Sequence, residues 1–254
     1  MDQKLRIFSL NTEYGKYSHT FLPYLESIAS NFDIFCFQEV PRDAKDIRCF
    51  EDGYDSHFYE KLERVLIDFT PYYAEYVRES FGIVTFVRKT LKQKLGFEKY
   101  LFGFSETPFL DKGRWNNSTK VLSVRVEGAT IMNIHGAWQP KSKKNDTEER
   151  ILQSKILRKL RKGKESSTIL IGDFNLNPET KSVKMLEKKY SNLIRQFDIQ
   201  TTRTSAYDDA SLPFADYAFV GTNFSVDSFR VNLEPVFSDH GFMELIISYP
   251  SSYA

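Results

Sequence analysis

Short runs of apolar and β-branched residues recur along the chain and predict a protein built largely from β-strands. Some runs alternate apolar with polar residues, as in a strand that is covered on one face, and others are almost wholly apolar, as in a strand that is covered on both. The clearest runs are LRIFSLN, FDIFCFQ, YYAEYV, FGIVTFVRK, KVLSVRVEG, ATIMNIHG, TILIGDF, ADYAFVG and FMELIIS. The pattern predicts sheets that pack together and carry helices on their outer faces.

Other segments have the spacing and the end signals of amphipathic helices. In NDTEERILQSKILRKLRKG, acidic residues occupy the predicted first turn and basic residues precede Gly163. Its apolar stripe consists of Ile151, Leu152, Ile156, Leu157 and Leu160. A second helix is predicted to begin at Asn177 and Pro178, as a cap followed by proline, and to bury Val183, Met185 and Leu186. Further helices are predicted over residues 17–30 and 56–68.

The chain shows no repeat, low-complexity tract or linker that would divide it. Its 254 residues suffice for one α/β domain with a sizeable core, so we expect a single domain over residues 1–254. Hydrophobic residues make up 41% and charged residues 27%, which is typical of a soluble globular protein and argues against disorder. The formal net charge of +1 provides no global basic field, so affinity for phosphate must come from a local patch.

The predicted location follows from the first residues and from the cysteines. The chain passes directly into its first strand without a signal sequence, and no apolar stretch approaches the roughly 20 residues that cross a bilayer. Cys36 and Cys49 show neither metal-binding spacing nor a disulfide framework, which favours a reducing compartment. We therefore expect a soluble, cytoplasmic monomer that does not insert into a membrane and has no obligate protein partner.

Polar side chains stand where several predicted strands begin or end. Taken singly, each is an ordinary turn residue, helix cap or surface side chain. Strand ends on one side of a sheet converge, however, and these residue types bind hard cations or phosphate. The set consists of Asn11, Gln38, Glu39, Asn133, His135, Asp173, Asn175, Asp216, Asp239 and His240.

Such a set suits the hydrolysis of a phosphodiester, which needs charge neutralisation, a positioned water and a stabilised leaving group. Glu39 and Asp239, with Asn11 assisting, are predicted to hold a hard metal ion through oxygen ligands. The sequence therefore predicts a metal site at this edge.

The remaining polar residues are predicted to handle water and phosphate. Asp173 would orient or deprotonate the attacking water, while Asn175 donates to the phosphate. His135 and His240 would donate to the charge that develops on the phosphoryl oxygens, and Asp216 would orient His240.

The ordered motifs FQE at Glu39, NIH at His135, GDFN at Asp173, ADY at Asp216 and SDH at residues 238–240 resemble the endonuclease/exonuclease/phosphatase superfamily. That superfamily includes deoxyribonuclease I, exonuclease III-like abasic-site endonucleases, sphingomyelinases and inositol polyphosphate 5-phosphatases. The resemblance extends over essentially the whole chain. It implies a four-layer α/β sandwich, in which two mainly antiparallel sheets pack face to face between helices, with the active site at one edge.

The resemblance also implies roles for the motif residues. Glu39 would be the principal Mg²⁺ ligand, with Mn²⁺ as a substitute ion. Asp173 and Asn175 would position water and phosphate, and Asp216 with His240 would form a hydrogen-bonded dyad. These are the roles to compare with the structure.

Two differences from particular branches of the superfamily narrow the range of substrates that we expect. The segment around Asp216 lacks the cysteine-containing CDR signature of inositol polyphosphate 5-phosphatases, which disfavours that activity. His135 is similar to the histidine of the deoxyribonuclease I and sphingomyelinase branches, whereas the abasic-site branch typically uses a tyrosine. Abasic-site specificity is therefore disfavoured as well.

Two loops carry aromatic and basic residues that suit a nucleic-acid strand. We predict that Arg114, Trp115, Asn116 and Trp138 contact the substrate, because stacking on an aromatic ring contributes about 1–3 kcal/mol per base. The alternative is that both tryptophans anchor their loops and that the nearby lysines form a solvated face.

The sequence thus predicts a Mg²⁺-dependent phosphodiester hydrolase, most simply a nuclease that acts by in-line attack of water. An alternative within enzymes is a phosphatase or a phospholipase C-like esterase on a small or lipid phosphate, including a phosphodiesterase for protein–DNA adducts. A non-catalytic binding module is a more distant alternative, because no predicted site position carries an inert residue.

Overall fold

The computed structural model describes residues 3–44, 53–77, 81–102, 109–110, 114–115 and 119–250. Its strands are β1 (Gln3–Asn11), β2 (Ile34–Pro41), β3 (Phe69–Val77), β4 (Phe81–Arg88), β5 (Gln93–Phe102), β6 (Phe109–Leu110), β7 (Arg114–Trp115), β8 (Thr119–Val126), β9 (Ala129–His135), β10 (Thr168–Asp173), β11 (Ser191–Asn192), β12 (Asp216–Val220), β13 (Ser225–Asn232) and β14 (Phe242–Tyr249). Its α-helices are α1 (Ser18–Ile28), α2 (Phe58–Val65), α3 (Glu148–Leu160), α4 (Lys181–Glu187) and α5 (Leu193–Gln196).

Two six-stranded sheets form the centre of the protein. The first has the order β13-β14-β1-β2-β4-β3, and the second has the order β11-β12-β10-β9-β8-β5. Each contains one parallel pair, β1 with β2 and β9 with β10, and its other neighbours are antiparallel. The predicted α/β sandwich with mainly antiparallel sheets is therefore confirmed.

Strand alternation divides the core into layers. In β1, Leu5 and Ile7 pack into the core between the sheets, whereas Phe8 and Leu10 pack outward against Phe21 and other residues of the helical layer. A strand covered on both faces must be apolar on both, which explains the nearly continuous apolar runs in the sequence. The helices α1 and α2 cover the first sheet, and the helices α3, α4 and α5 contribute buried residues on the side of the second.

The predicted helix around residue 150 is confirmed as α3, but one residue of its apolar stripe is on the wrong face. The hydroxyl of Thr147 caps the helix by accepting from the backbone N–H of Arg150. Leu152 is exposed, whereas the polar side chains of Arg150 and Gln153 are buried. These two bond to the backbone of Ala137, so the face towards the sheet is partly polar.

The predicted start of the next helix is wrong by one turn. Helix α4 begins at Lys181, after Thr180, whose hydroxyl accepts from the backbone N–H of Val183. Asn177 instead donates its side-chain N–H to the carbonyl of Lys143 and ties two loops together. The Asn-Pro pair therefore marks a turn before the helix. The helices predicted over residues 17–30 and 56–68 are confirmed as α1 and α2.

The sequence pattern did not identify β5 and β13, nor the short strands β6, β7 and β11. Cys36 is buried as a free thiol, and Cys49 lies outside the described residues. None of the helices in the described part of the chain combines the length and the apolar character needed to span a bilayer.

Candidate functional site

Strand register brings three predicted site residues into one row at the edge of the second sheet. In the parallel pair β9 and β10, His135 lies opposite Asp173, and in the antiparallel pair β10 and β12, Asp173 lies opposite Asp216. The backbone N–H of Gly136 continues this row by donating to the carbonyl of Asp173 at 2.7 Å. The register explains why residues far apart in sequence converge here.

The first sheet presents Asn11 and Glu39 to the same site. Its parallel pair places Asn11 opposite Gln38, one residue before Glu39. The pairing of β2 with β4 shifts register between Phe37 and Val40, and Glu39 has a φ of +54°. A bulge of this kind re-aims a side chain, and here it directs Glu39 towards His135, with 3.4 Å between Glu39 Oε1 and His135 Nε2.

The loop before β14 contributes Asp239 and His240. It is fastened by residues of another loop, because the hydroxyl of Thr204 donates to the carbonyl of Ser238 and Arg203 forms an isolated β-bridge with His240. Arg203 Nη1 also donates to Asp239 Oδ2 at 2.5 Å. The position of the SDH motif therefore depends on a segment that carries no predicted site residue.

Asp173 is held rigidly at the centre of the site. Its Oδ1 accepts from the backbone N–H of Asn175 at 2.7 Å. Its Oδ2 accepts from Nδ2 of Asn11 at 3.1 Å and from Nδ2 of Asn175 at 3.2 Å. The imidazole Nε2 atoms of His135 and His240 each lie 3.8 Å from the same Oδ2. A small molecule such as water can bridge gaps of this length, whereas a direct hydrogen bond cannot.

His135 is oriented by a buried phenol. Tyr76, on β3 of the opposite sheet, places its hydroxyl 2.6 Å from Nδ1 of His135. Burial raises the pKa of Tyr76 well above its usual value and lowers the pKa of His135, so both groups are neutral near pH 7. The Tyr76 hydroxyl can donate to Nδ1, and Nε2 then faces Glu39 Oε1, which accepts a hydrogen bond when the carboxylate is ionised. The arrangement therefore favours the tautomer with the proton on Nε2.

His240 is held instead by a carboxylate. Its Nδ1 lies 2.8 Å from Oδ2 and 3.0 Å from Oδ1 of Asp216, as the predicted dyad requires. Burial and the charge of Arg203 lower the pKa of His240 to about 3, and burial raises the pKa of Asp216 to about 6. At pH 7 the ring is neutral with its proton on Nδ1, and Nε2 is an acceptor.

The chemistry of the oxygen donors fits a divalent cation. Burial, followed by the charge of Asp239, raises the pKa of Glu39 well above its usual value, and burial also raises the pKa of Glu13. A cation bound here would offset both effects, because it favours the ionised carboxylates. Glu39, Asp239 and Asn11 offer the oxygen ligands that hard cations prefer.

The hydrogen bonds limit which oxygens remain for that cation. Asp239 Oδ2 accepts from Arg203, and Oδ1 accepts from the hydroxyl of Ser238 at 3.3 Å, so a cation would use a remaining lone pair of Oδ1. Oxygen Oδ1 of Asn11 already accepts from the backbone N–H of Glu13 at 3.2 Å. Glu13 accepts from Lys16 at 2.5 Å and from the backbone N–H of Asp239 at 3.1 Å, so it fixes the loop. Glu39 is the least committed carboxylate of this group.

A second group of donors lies beside the first. One ligand atom each from Asp173, Asp216 and His240 lies within 4.8 Å of the others, an arrangement that also suits a cation. The sequence analysis predicted other roles for these residues: Asp173 acts on the attacking water, His240 donates to the phosphoryl oxygens, and Asp216 orients His240. The described residues thus offer a carboxylate-rich centre with two sets of cation donors.

Two polar strand-end residues do not enter the site. Gln38 donates its side-chain N–H to Oδ1 of Asn133 at 2.7 Å, across the interface of the two sheets. Asn133 in turn donates to the carbonyls of Phe37 and Val84. These buried amides tie the sheets together below the site and are structural.

The predicted substrate residues differ in how far the structure describes them. Trp138 follows His135 closely and is 48% exposed, so part of its side chain is available to a ligand. The backbone of Arg114 and Trp115 forms β7, while the predicted contacts of their side chains and of Asn116 lie outside the described residues. Lys120, from the same predicted basic loop, is paired with Glu98 at 3.0 Å.

Sequence reasoning missed three polar residues close to the site, Tyr76, Lys144 and Arg203. Tyr76 reaches His135 by packing between sheets, which no local pattern reveals. Arg203 comes from the loop TTRTSAY, whose sequence has no strand or helix signal. Lys144 is one of the lysines that follow Trp138, for which the sequence suggested a solvated face as an alternative, yet it is buried.

The fold is similar to that of several solved structures. A comparison with curated protein sequences finds no significant match. An endonuclease/exonuclease/phosphatase family protein from Bacteroides thetaiotaomicron is similar in structure, with a TM-score of 0.70 at 14% identity over 98% of this chain and 96% of that one. The human Nocturnin catalytic domain, solved with bound sulfate, has a TM-score of 0.65 at 15% identity over 98% and 97%.

A third similar structure is that of TDP2 from D. rerio, humanized by 14 mutations, with a TM-score of 0.64 at 16% identity over 96% of this chain and 98% of that one. At these identities the structures show the shared fold alone. The sequence model described as "Endonuclease/Exonuclease/phosphatase family" matches residues 9–240, which include every strand end that forms the site. The chain therefore belongs to the endonuclease/exonuclease/phosphatase family.

Proposed function

We propose that this protein is a divalent-cation-dependent phosphodiester hydrolase that acts on nucleic acid. One observation carries the proposal, namely that Glu39, His135, Asp173 and His240 converge at one edge of the sandwich with two differently held imidazoles. Members of this family are generally hydrolases of phosphate esters. An arrangement of carboxylates and imidazoles around one small space suits that reaction class.

The side chains of the site have different roles in hydrolysis. A water between Asp173 Oδ2 and His240 Nε2, which lie 3.8 Å apart, would donate one hydrogen bond to each group and lose a single proton as its oxygen attacks the phosphorus. Asp216 holds the His240 ring and stabilises the positive charge that forms when Nε2 takes the proton. His135 donates from Nε2 to a phosphoryl oxygen, while Asn175 keeps Asp173 in place.

A cation would be held mainly by Glu39, with Asp239 Oδ1 and Asn11 as further oxygen ligands. We propose Mg²⁺, because every donor in this group is a hard oxygen. When bound, it supplies positive charge that neutralises the phosphate and the buried carboxylates. The proposal extends to a single-domain, monomeric protein of the cytoplasm. The buried free thiol of Cys36 supports the reducing compartment in this part of the proposal.

The decisive experiment is hydrolysis by purified protein in the presence of Mg²⁺. We expect it to nick supercoiled plasmid and to hydrolyse bis-p-nitrophenyl phosphate, and we expect excess EDTA to stop both reactions. Asp173→Asn should reduce both rates at least about 100-fold, because the water loses its anionic partner. Undiminished turnover in this variant would remove the assignment of Asp173.

Substitution of Trp138 tests whether the substrate is nucleic acid or a smaller phosphate ester. Trp138→Ala should lower kcat/KM on single-stranded oligonucleotides by about tenfold, because a base loses its stacking partner, and leave bis-p-nitrophenyl phosphate within about threefold. Phe197→Ala, at another partly exposed aromatic residue, serves as the control. Hydrolysis of a lipid or sugar phosphate ester with no cleavage of nucleic acid would favour the alternative of a small-ester phosphodiesterase.

A further inference from the structure

Lys144 is a buried cation without an anionic partner in the described chain. It is 5% exposed, as little as the two site histidines. Its Nζ donates to the carbonyl of Phe214 at 3.2 Å, and it forms no ion pair with any described carboxylate. Burying an unpaired ammonium group costs free energy, and burial together with the nearby Arg203 lowers the pKa of Lys144 to about 8.

Arg203 adds a second buried positive charge to the same place. Its side chain is 8% exposed, and one of its nitrogens, Nη1, binds Asp239. Its Nε is buried without a hydrogen-bond partner within the described residues. The guanidinium carbon lies 4.0 Å from the centre of the Tyr207 ring, and Lys144 Nζ lies 5.2 Å from the same centre. Two like charges thus share one aromatic ring.

The neighbouring carboxylates satisfy these cations only in part, because Asp239 binds Arg203 Nη1 but no described carboxylate binds Arg203 Nε or Lys144 Nζ. Asp173 accepts from Asn11 and Asn175, and Asp216 accepts from His240. Neither Lys144 nor Arg203 is paired with Glu39 or Asp173, the carboxylates beside His135. The charges of Asp173, Asp216 and Asp239 act on both cations, so Lys144 and Arg203 lie beside the centre where the phosphodiester would react. The unpartnered Nε of Arg203 and the Nζ of Lys144 are donors that an incoming anion would complete.

We propose that Lys144, Arg203 and Tyr207 form a subsite for a second phosphate group of the substrate, adjacent to the phosphate that is hydrolysed. The inference rests on the proposed function and makes it more specific, because a nucleic-acid strand carries such a phosphate at each step along its backbone. The enzyme would accordingly act on substrates with two or more phosphates in preference to an isolated diester. Arg203 would also couple this subsite to Asp239, which it binds.

The chain offers a matched control for Lys144 in its neighbour. Lys143 and Lys144 have φ values of +48° and +61°, so substitution affects the backbone similarly at both. Lys143 is exposed, however, and only Lys144 lies on the Tyr207 ring. Both variants lose one positive charge, but only Lys144→Gln removes it from the subsite. If Lys144→Gln folds poorly, Lys144→Arg keeps the positive charge and can be compared instead.

The substrates are thymidine dinucleotides without a terminal phosphate, with a 5′-phosphate and with a 3′-phosphate. For the wild type and Lys143→Gln, we expect one phosphorylated form to be hydrolysed with a kcat/KM at least about tenfold above that of the form without a terminal phosphate. Lys144→Gln should lose this preference and keep the rate on the unphosphorylated form within about threefold. The subsite would be overturned if the wild type hydrolysed all three dinucleotides at equal rates. It would also be overturned if Lys144→Gln lowered kcat/KM by the same factor on the phosphorylated and unphosphorylated dinucleotides.

A binding measurement separates failure of the subsite from failure of the proposed function. If the wild type hydrolyses neither plasmid nor bis-p-nitrophenyl phosphate nor a dinucleotide, the proposed function fails, and calorimetry with thymidine 3′,5′-bisphosphate and thymidine 5′-phosphate then tests the subsite alone. We expect Lys144→Gln to weaken binding of the bisphosphate at least about tenfold relative to Lys143→Gln, with the monophosphate little changed. Equal affinity of the two variants for the bisphosphate would overturn the subsite.

Discussion

His135 and His240 differ in the group that contacts Nδ1 of the imidazole ring. Asp216 holds His240 with a carboxylate, which can stabilise a positive charge on the ring. Tyr76 holds His135 with a neutral phenol, which cannot do so to the same degree. Of the two rings, His240 has the partner that can stabilise an added proton, although burial and the charge of Arg203 lower its pKa to about 3, whereas His135 is suited to remain a neutral donor towards phosphate.

Removal of the Tyr76 hydroxyl should separate positioning from packing. Tyr76→Phe leaves Nδ1 of His135 without its partner, so the ring is free to place its proton on either nitrogen. We expect kcat on bis-p-nitrophenyl phosphate to fall about tenfold and the free energy of unfolding to fall by about 1 kcal/mol. Nitrogen NMR of His135 should show a single tautomer in the wild type and a mixture in the variant.

The control for this prediction is Tyr73→Phe on the same strand. Its hydroxyl donates to the carbonyl of Val40 at 3.1 Å, on the side of the sheet away from the site. It should lose a similar free energy of unfolding while keeping its kcat. A kcat that falls equally in both variants, with an unchanged His135 spectrum, would assign Tyr76 a purely structural role.

Among the elements, strand β10 places Asp173 and depends on one glycine to do so. Gly172 has a φ of +131°, a conformation that side chains rarely adopt, and a Cβ there would overlap the carbonyl oxygen of Ile134 on β9. The parallel pairing of β9 with β10 sets His135 beside Asp173, and it requires this close approach. The glycine of the GDFN motif is therefore needed for the geometry of the site.

We expect Gly172→Ala to lower the free energy of unfolding by about 2 kcal/mol or more and to reduce activity further than the loss of folded protein explains. Gly163→Ala provides the comparison, because Gly163 also has a positive φ of +77°, but a Cβ at this position would meet no other atom within 4 Å. It should cost only about 1 kcal/mol and leave the activity of the folded protein intact. Chemical denaturation and rates per folded molecule measure both effects, and equal behaviour of the two variants would contradict the argument.

The elements that sequence predicted are those whose burial pattern is simple. Strands covered on both faces, such as β9 and β10, are buried throughout and mostly apolar, and they were identified. Strand β13 lies at a sheet edge and is largely exposed, so its sequence SVDSFRVN carries little hydrophobic signal. The stripe in α3 was misjudged at Leu152 because buried hydrogen bonds hold Arg150 and Gln153 inward, and hydrophobicity alone does not reveal such bonds.

Candidate site residues were predictable where strand ends carry them. His135, Asp173 and Asp216 meet because register places them side by side, and a sequence can reveal strand ends. Tyr76 and Arg203 depend on packing between sheets and between loops, which arises only in the folded molecule. The sequence therefore indicated the row of chemical groups but not the residues that orient them.

At the scale of the whole molecule, the site concentrates charge that the rest of the chain does not show. The formal net charge is only +1, yet the edge of the sandwich gathers several buried carboxylates with Arg203 and Lys144 beside them. Folding therefore works against the ionisation of Glu39, and a bound cation would reverse that effect. Stability, pH and cation binding should be linked in this protein.

This linkage predicts a pH-dependent stabilisation by Mg²⁺. Because the folded-state pKa of Glu39 is raised, its contribution to the stability of the metal-free protein is fully present below its usual value of 4.5 and is lost as pH rises through the raised pKa. Cation binding needs the ionised carboxylate, so the rise in Tm with Mg²⁺ should be larger at about pH 8 than at about pH 5.5. Glu39→Gln should remove most of the rise at both pH values, whereas Glu26→Gln on the exposed face of α1 should not. A rise that is independent of pH, or retained in Glu39→Gln, would show that the cation binds elsewhere.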